Sequence, residues 1–289
     1  MTAAETAPPA TDPPPGLHRV GRRPPLGDYL GEVWRRRAFV STLARARIEA
    51  EHGRNRLGLA WIVLRPLLNA GIYGMVFGFF LQTSRDVDDF IAFLVIGVFM
   101  FEFFSTCLTT GARSITGHTA LVQSLSFPRM ALPLALVFQR LLQFLPMLAM
   151  MVVVAVAWGH PPRPEWGLLA PLVALFTIFN AGLTLLVARL TVHLRDLTHV
   201  LPFVSRLVFY SSGVFYSIET RLADRTWALA AADLQPVHEF LTLARGILLE
   251  GPDHPLPVAY WGYATIWSVA LLVVGVLFFW AAEERYGRD

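Results

Sequence analysis

The sequence predicts an all-α integral membrane protein: six transmembrane helices, preceded by an amphipathic interfacial helix and carrying two short re-entrant helices between spans five and six. Three observations predict it. Six apolar stretches, at about 62–81, 90–108, 131–158, 167–191, 200–218 and 258–282, reach the length of about 20 residues that a helix needs to cross the hydrocarbon core. The 289 residues are 55% hydrophobic, with mean hydropathy +0.51, above ordinary soluble usage. The chain contains no lysine, and its 24 arginines fall unevenly between the two sets of connections. Alternation at period two, the mark of a membrane barrel, is absent from these stretches.

The arginines set the orientation. Ten precede the first span, and Arg113, Arg129, Arg195, Arg285 and Arg288 lie on the same side. The other side holds Arg85, Arg163, Arg221, Arg225 and Arg245 among ten acidic residues. By the positive-inside rule both termini are expected in the cytoplasm, with the protein multi-pass in the cytoplasmic membrane.

Residues 1–27 are rich in Pro, Ala and Thr and read as a disordered cytoplasmic tail, without the apolar core of a signal peptide. Residues 28–57 read as an interfacial helix. Leu30, Val33, Val40, Leu43 and Ala44 recur at helical spacing opposite Arg35, Arg36, Arg45, Glu49 and Glu51, while Tyr29 and Trp34 suit headgroup depth. A plain basic anchor is the alternative.

Residues 58–289 form the six-span domain. Arg65-Pro66 stands at the start of span one, followed by Gly71, Gly74 and Gly78 at a small-residue spacing that permits close helix approach. Tyr73, Phe77 and Phe80 share a face, and Phe203, Tyr210, Phe215 and Tyr216 follow in span five. Such rings serve either as a stacking track for sugars or as ordinary lipid-facing aromatics. Glu102, Arg140 and Arg206 lie within the spans, where charge is costly. An ion pair of Glu102 with Arg140 or Arg206 is the preferred reading, ahead of contact with a charged headgroup or a proton relay.

The connections are informative too. The first external loop carries Asp86, Asp88 and Asp89, read as a solvated loop rather than a metal site or base. Residues 111–130 bear Ser114, Thr116, His118, Thr119 and Gln123 with an apolar patch, either a docking element or a structural loop. Two helical pieces around Gln235-Pro236, within about 221–250, are too short to span and fit re-entrant or pore-capping helices. The histidines show no metal-ligand spacing, and the single cysteine, Cys107, excludes an intrachain disulfide. Without lysine the chain has no P-loop, so use of ATP would require a separate ATPase.

Several strings together resemble the membrane (permease) subunit of type-2 ABC exporters of lipid-linked polysaccharides, the family of O-antigen, teichoic acid, capsule and galactan exporters. They are Arg54-Asn55-Arg56-Leu57-Gly58-Leu59-Ala60-Trp61 with Leu64-Arg65-Pro66-Leu67, then Ile115 to Leu125 with Phe127-Pro128-Arg129-Met130-Ala131-Leu132-Pro133, then Arg195-Asp196-Leu197 and Ser211-Ser212-Gly213-Val214-Phe215-Tyr216. The resemblance implies a homodimer with two cytoplasmic ATPase subunits that hold ATP and Mg, no cofactor on this chain, no catalysis by it, and no nucleic-acid partner. It implies that Ser114, Thr116, His118 and Gln123 lie in the ATPase-coupling loop, that the two short helices form an external gate, and that spans one and five line the channel. The cargo implied is a polyprenyl-diphosphate-linked glycan in a lipid membrane. Arg54, Arg56 and Arg65 are its candidate diphosphate contacts, because guanidinium binds phosphate bidentately. The Arg-only, Ala- and Pro-rich composition looks actinobacterial, which points to cell-wall galactan. The rival readings are a drug or small-lipid exporter of the same fold, a membrane glycosyltransferase using Asp86, Asp88 and Asp89, and a non-catalytic assembly factor.

Overall fold

The computed structural model describes residues 24–53, 56–80, 89–118, 128–221, 226–251, 254 and 256–282. Among them every regular element is helical: α1 Leu26–Arg35, α2 Arg37–His52, α3 Trp61–Tyr73, α4 Phe90–Gly111, α5 Ala131–Ala157, α6 Leu169–His193, α7 Leu197–Ser211, α8 Ile218–Arg221, α9 Thr226–Asp233, α10 Pro236–Leu248 and α11 Val258–Trp280. Five helical stretches are long and apolar enough to cross a membrane: Gly58–Phe80, Phe90–Gly111, Ala131–Ala157, Pro164–His193 and Val258–Trp280. The chain is a multi-pass membrane protein.

The predicted fifth span departs from the expectation. Helix α7 has 15 residues, about 22 Å at 1.5 Å per residue, short of the hydrocarbon core of about 30 Å. It ends before Gly213, whose φ of +70° suits glycine. The carbonyls exposed by this break need partners, since lipid offers none. Arg245 of α10 serves two of them, donating to the carbonyls of Gly213 at 3.0 Å and Val214 at 2.8 Å, and a third bond reaches the Phe93 carbonyl of α4 at 3.3 Å. Its guanidinium lies 3.4 Å from the centroid of the Phe93 ring. Gly97 leaves the room: a Cβ there would stand 2.5 Å from Arg245 Nη2 and 2.8 Å from the Val214 carbonyl. Arg245 is thus a buried staple, not the loop charge that the orientation count assumes.

Helix α4 is apolar all round from Phe90 to Phe101 and sits at the centre, the arrangement expected of a helix enclosed by others; its second half carries Glu102, Ser105, Thr106, Thr109 and Thr110. Helix α10 packs against it and against α6, with Phe240 between Phe176 and Phe179 at centroid distances of 4.6 and 5.5 Å. Arg163, in the α5–α6 connection, donates to the Leu249 carbonyl at 2.9 Å and so caps the end of α10. Helices α6 and α11 cross closely because Gly182 meets Gly275. A Cβ on Gly182 would come within 2.3 Å of the Leu271 backbone, the close approach that small residues permit.

At the basic end, the predicted interfacial helix is two helices that meet at Arg36. Tyr29 is buried against the protein, and its hydroxyl accepts a bond from the Met130 N–H at 3.2 Å. Ala44 is buried as well, whereas Trp34 is 70% exposed. The ladder of hydrogen bonds continues through the joint, from Arg36 N–H to the Glu32 carbonyl and from Val40 N–H to the Arg36 carbonyl, so the pair is a kinked helix whose apolar side divides between protein and surroundings. The sequence reading also passes over a fourth charge within the spans: Arg189 is buried, 2.7 Å from His193 Nδ1 and over the Phe278 ring.

Candidate functional site

Polar chemistry concentrates where α2 lies across the ends of α4 and α5. Arg140 of α5 reaches Glu51 of α2 at 3.1 Å, and Gln143 closes the arrangement, accepting from Arg140 at 2.7 Å and donating to Glu51 at 3.0 Å. The expected partner of Arg140, Glu102, is not the one found. Glu102 makes no ion pair among the described residues. The reason is positional: Glu51 on α2 reaches the guanidinium first and satisfies it together with Gln143. Sequence spacing alone could not bring residue 51 beside residue 140.

Two cavities flank this clamp. The first, about 540 Å³, is lined by Arg65 and Trp61 of α3, by Glu102, Thr106, Thr109 and Thr110 of α4, by Arg140, Gln143 and Met147 of α5, and by Glu51 and His52. The three threonines donate to carbonyls of their own helix, as Thr109 does to Ser105 at 2.7 Å. Each hydroxyl keeps acceptor capacity beside the cavity. The second cavity, about 600 Å³, lies on the other side of the clamp toward α7.

A third, smaller hollow of about 210 Å³ opens between α3, α4 and α7. Asn69, Tyr73, Glu102, Ser105, Ser205, Arg206 and Tyr210 line it. Glu102 and Arg206 therefore share a cavity without pairing, and Ser105 and Ser205 bridge α4 to α7 at 2.8 Å. Beside it runs an aromatic seam. Tyr73 packs on Phe209 at 5.1 Å, Phe77 stacks on Phe215 at 3.8 Å, and the Tyr216 hydroxyl donates to the Tyr210 carbonyl at 2.8 Å. Phe209 and Phe101, absent from the sequence reading, join the seam at 4.9 Å from each other.

The predicted residues are thus partly gathered. Tyr73, Phe77, Tyr210, Phe215 and Tyr216 converge, although Phe215 is buried in the core. Phe80 and Phe203 stand apart, 68% and 70% exposed. Phe80 leaves the common face because Gly74–Phe80 winds as a wider π-helical turn, which alters the helical repeat. Arg65 is on the rim of the first cavity and Arg56 is exposed in the turn before α3, while Arg54 lies outside the described residues. Ser114 is buried, Thr116 begins a short 3-10 turn, the His118 side chain is not described, and Thr119 and Gln123 lie outside the described residues. Asp86 and Asp88 also lie outside them. Asp89 faces His160 Nε2 at 3.1 Å. The ring's Nδ1 accepts from the Glu250 N–H at 2.9 Å, so that contact ties together the connections before α4, between α5 and α6, and between α10 and α11.

Residues 40–249 match the family model described as ABC-2 type transporter. The chain belongs to the ABC-2 type transporter family. The match runs from within α2 to just past α10, so it takes in the clamp, the three cavities, the aromatic seam and the Arg245 staple. The chain is 28% identical over 257 residues to the O-antigen export system permease protein RfbA of Myxococcus xanthus, covering 88% of this chain and 94% of that protein. It is 24% identical to the protein of the same name from Klebsiella pneumoniae, over 83% and 90% of the two lengths. To the capsule polysaccharide export inner-membrane protein CtrC of Neisseria meningitidis it is 22% identical, over 66% and 72%. Membership of the ABC-2 family implies an ABC ATPase partner for this membrane chain.

Proposed function

We propose that this chain is the transmembrane subunit of an exporter that carries a polyprenyl-diphosphate-linked polysaccharide, such as cell-wall galactan or O-antigen, across the cytoplasmic membrane. Two copies of a six-span subunit, α7 counting as a shortened fifth span, would enclose the conduit. Two copies of a separate ABC ATPase would bind ATP and Mg and supply the work. Both termini would be cytoplasmic, with the kinked α1–α2 pair and the loop around Ser114–Gln123 facing the ATPase. Helices α9 and α10 would form the external gate, dipping back into the membrane.

The observation that carries this reading is near full-length similarity to permeases whose names specify O-antigen export. The α3–α7 side of the molecule supports it physically. Leu68, Ile72, Met75, Phe79, Phe203, Leu207 and Tyr210 are exposed there, beside the hollow that holds Asn69, Glu102 and Arg206. A face mixing rings with charges that form no ion pair among the described residues is a poor lipid contact but suits the wall of a wet channel completed by a second copy. Aromatic planes stack on sugar rings with little demand for a particular residue, as a polymer track requires.

Arg56 and Arg65 are assigned as diphosphate contacts at the cytoplasmic entrance, with Arg54 beside them in sequence. In cells that depend on this chain for surface glycan, Arg56→Ala and Arg65→Ala should leave membrane insertion and subunit assembly intact and lower surface glycan at least tenfold. Wild-type glycan levels in both variants would remove these residues from the site.

A further inference from the structure

The exporter reading draws on the first cavity only at its rim, through Arg65, yet the α4 wall of that cavity has a chemistry of its own. Glu102, Thr106, Thr109 and Thr110 stand at i, i+4, i+7 and i+8, one face of the helix, and all four line the cavity. The threonines donate their O–H groups to carbonyls of α4 itself, Thr106 to Glu102 and Thr109 to Ser105 at 2.7 Å each, and Thr110 to Thr106. Toward a ligand each can then only accept. Glu102 forms no ion pair and no side-chain hydrogen bond among the described residues, and as a carboxylate it too only accepts. A row of acceptors thus runs from Glu102 to Thr110, about 12 Å at 1.5 Å per residue.

The rest of the lining narrows the ligand. Glu51, Arg140 and Gln143 hold one another in the clamp. The carboxylate and guanidinium left open are Glu102 and Arg65, which share the cavity without pairing. Trp61, 37% exposed, brings an aromatic surface to the same space. An occupant that fits carries several donors for the α4 face, an apolar face for the ring and an anionic end for Arg65. A glycosyl diphosphate combines all three: hydroxyls that donate, a sugar ring that stacks, and phosphate oxygens that match a guanidinium. A phosphoethanolamine headgroup also joins an anion to a donor, but its single ammonium serves only one end of the row. The volume of about 540 Å³ is that of a small-molecule site. Glu102 also lines the smaller hollow beside the aromatic seam, so it stands between the entrance cavity and the channel wall. We propose that this face of α4 is the subsite for the first sugar of the cargo, the one joined to the diphosphate. Glu102 is its specificity-determining residue, accepting from the sugar hydroxyls while Arg65 holds the phosphate. The proposal deepens the exporter reading and rests on it for the class of cargo.

The full chain, purified in detergent, is titrated by native mass spectrometry with four lipids: bare farnesyl diphosphate, farnesyl diphosphate linked to glucose or to N-acetylglucosamine, and phosphatidylethanolamine. The wild type should bind at least one glycosylated probe about tenfold or more tighter than the bare diphosphate, as a site built to pair hydroxyls does. Glu102→Gln, which keeps shape without charge, should erase that preference. It should bind the bare diphosphate no more weakly, since removing a carboxylate does not cost an anion, and this also shows that the variant is folded. Thr106→Val should erase the preference in part. No sugar preference in the wild type, a preference that survives Glu102→Gln, or an equal loss for bare and glycosylated lipid would each overturn the proposal. A loss confined to phosphatidylethanolamine would also overturn it, assigning Glu102 to an ammonium headgroup. Glycan export is scored separately in cells. Export with no sugar preference in binding sinks this subsite alone. A Glu102-dependent preference without export sinks the exporter reading alone, and binding of no diphosphate lipid counts against both.

Discussion

At Glu51 burial alone would push the carboxyl up, yet the Arg140 charge and hydrogen bonds from Gln143 and Arg140 hold it below the ordinary carboxylate range. Because its folded value lies below the unfolded one, the clamp contributes stability above about pH 4. That contribution is lost as pH falls through the depressed value. Thermal unfolding in detergent should therefore show a steeper acid loss for the wild type than for Glu51→Gln; parallel curves would mean the clamp adds nothing. Glu239 behaves in the opposite sense. It is fully buried with neither oxygen hydrogen-bonded among the described residues, and burial, then the Asp233 charge, push its carboxyl up to about 7. The protonated form is the one that suits the fold. Its contribution is complete below about pH 4 and is lost as pH rises through about 7. Glu239→Gln, which keeps shape without charge, should flatten the melting temperature between pH 5 and 8, and an unchanged slope would place the titration elsewhere.

At the scale of elements, the broken span and the tight crossing are the features most open to substitution. Arg245→Met would leave the carbonyls of Gly213 and Val214 short of a donor, a loss of about 2 kcal/mol or more. Gly97→Ala would push a methyl into the same guanidinium. At the α6–α11 crossing, Gly182→Val sets side-chain atoms against the Leu271 backbone and should cost about 3 kcal/mol or more. Detergent melting temperatures and the yield of folded chain check all three, and wild-type behaviour would contradict the staple or the crossing. These elements also show where sequence reading stops. Five crossing stretches and the paired short helices at Gln235-Pro236 were legible, because length and hydropathy are local properties. The end of α7 at Ser211 was not, since the groups that hold the break, Arg245 on the Gly213 and Val214 carbonyls and Gln235 on the Ser211 hydroxyl, stand some twenty to thirty residues further on. Arg140 was recognised as a costly charge, but its partner lay on a helix outside the spans. The aromatic residues of spans one and five were visible as a pattern, whereas the π-helical turn that separates Phe80 from Tyr73 and Phe77 leaves no local signature.

For the whole molecule, five long helices and a shortened one present charge and rings on the α3–α7 side. The closed clamps lie at the two ends: Glu51–Arg140 at the basic end, Asp89–His160 and the Arg245 staple at the other. The proposed function takes this layout as half a conduit with an anchorage for a motor. The most direct measurement is reconstitution of the chain in liposomes with and without its ABC ATPase, following the passage of a labelled polyprenyl-diphosphate-linked glycan across the bilayer. The account predicts ATP hydrolysis and glycan translocation only when both chains are present. Translocation or hydrolysis by this chain alone, or hydrolysis by the pair with no movement of glycan, would contradict it.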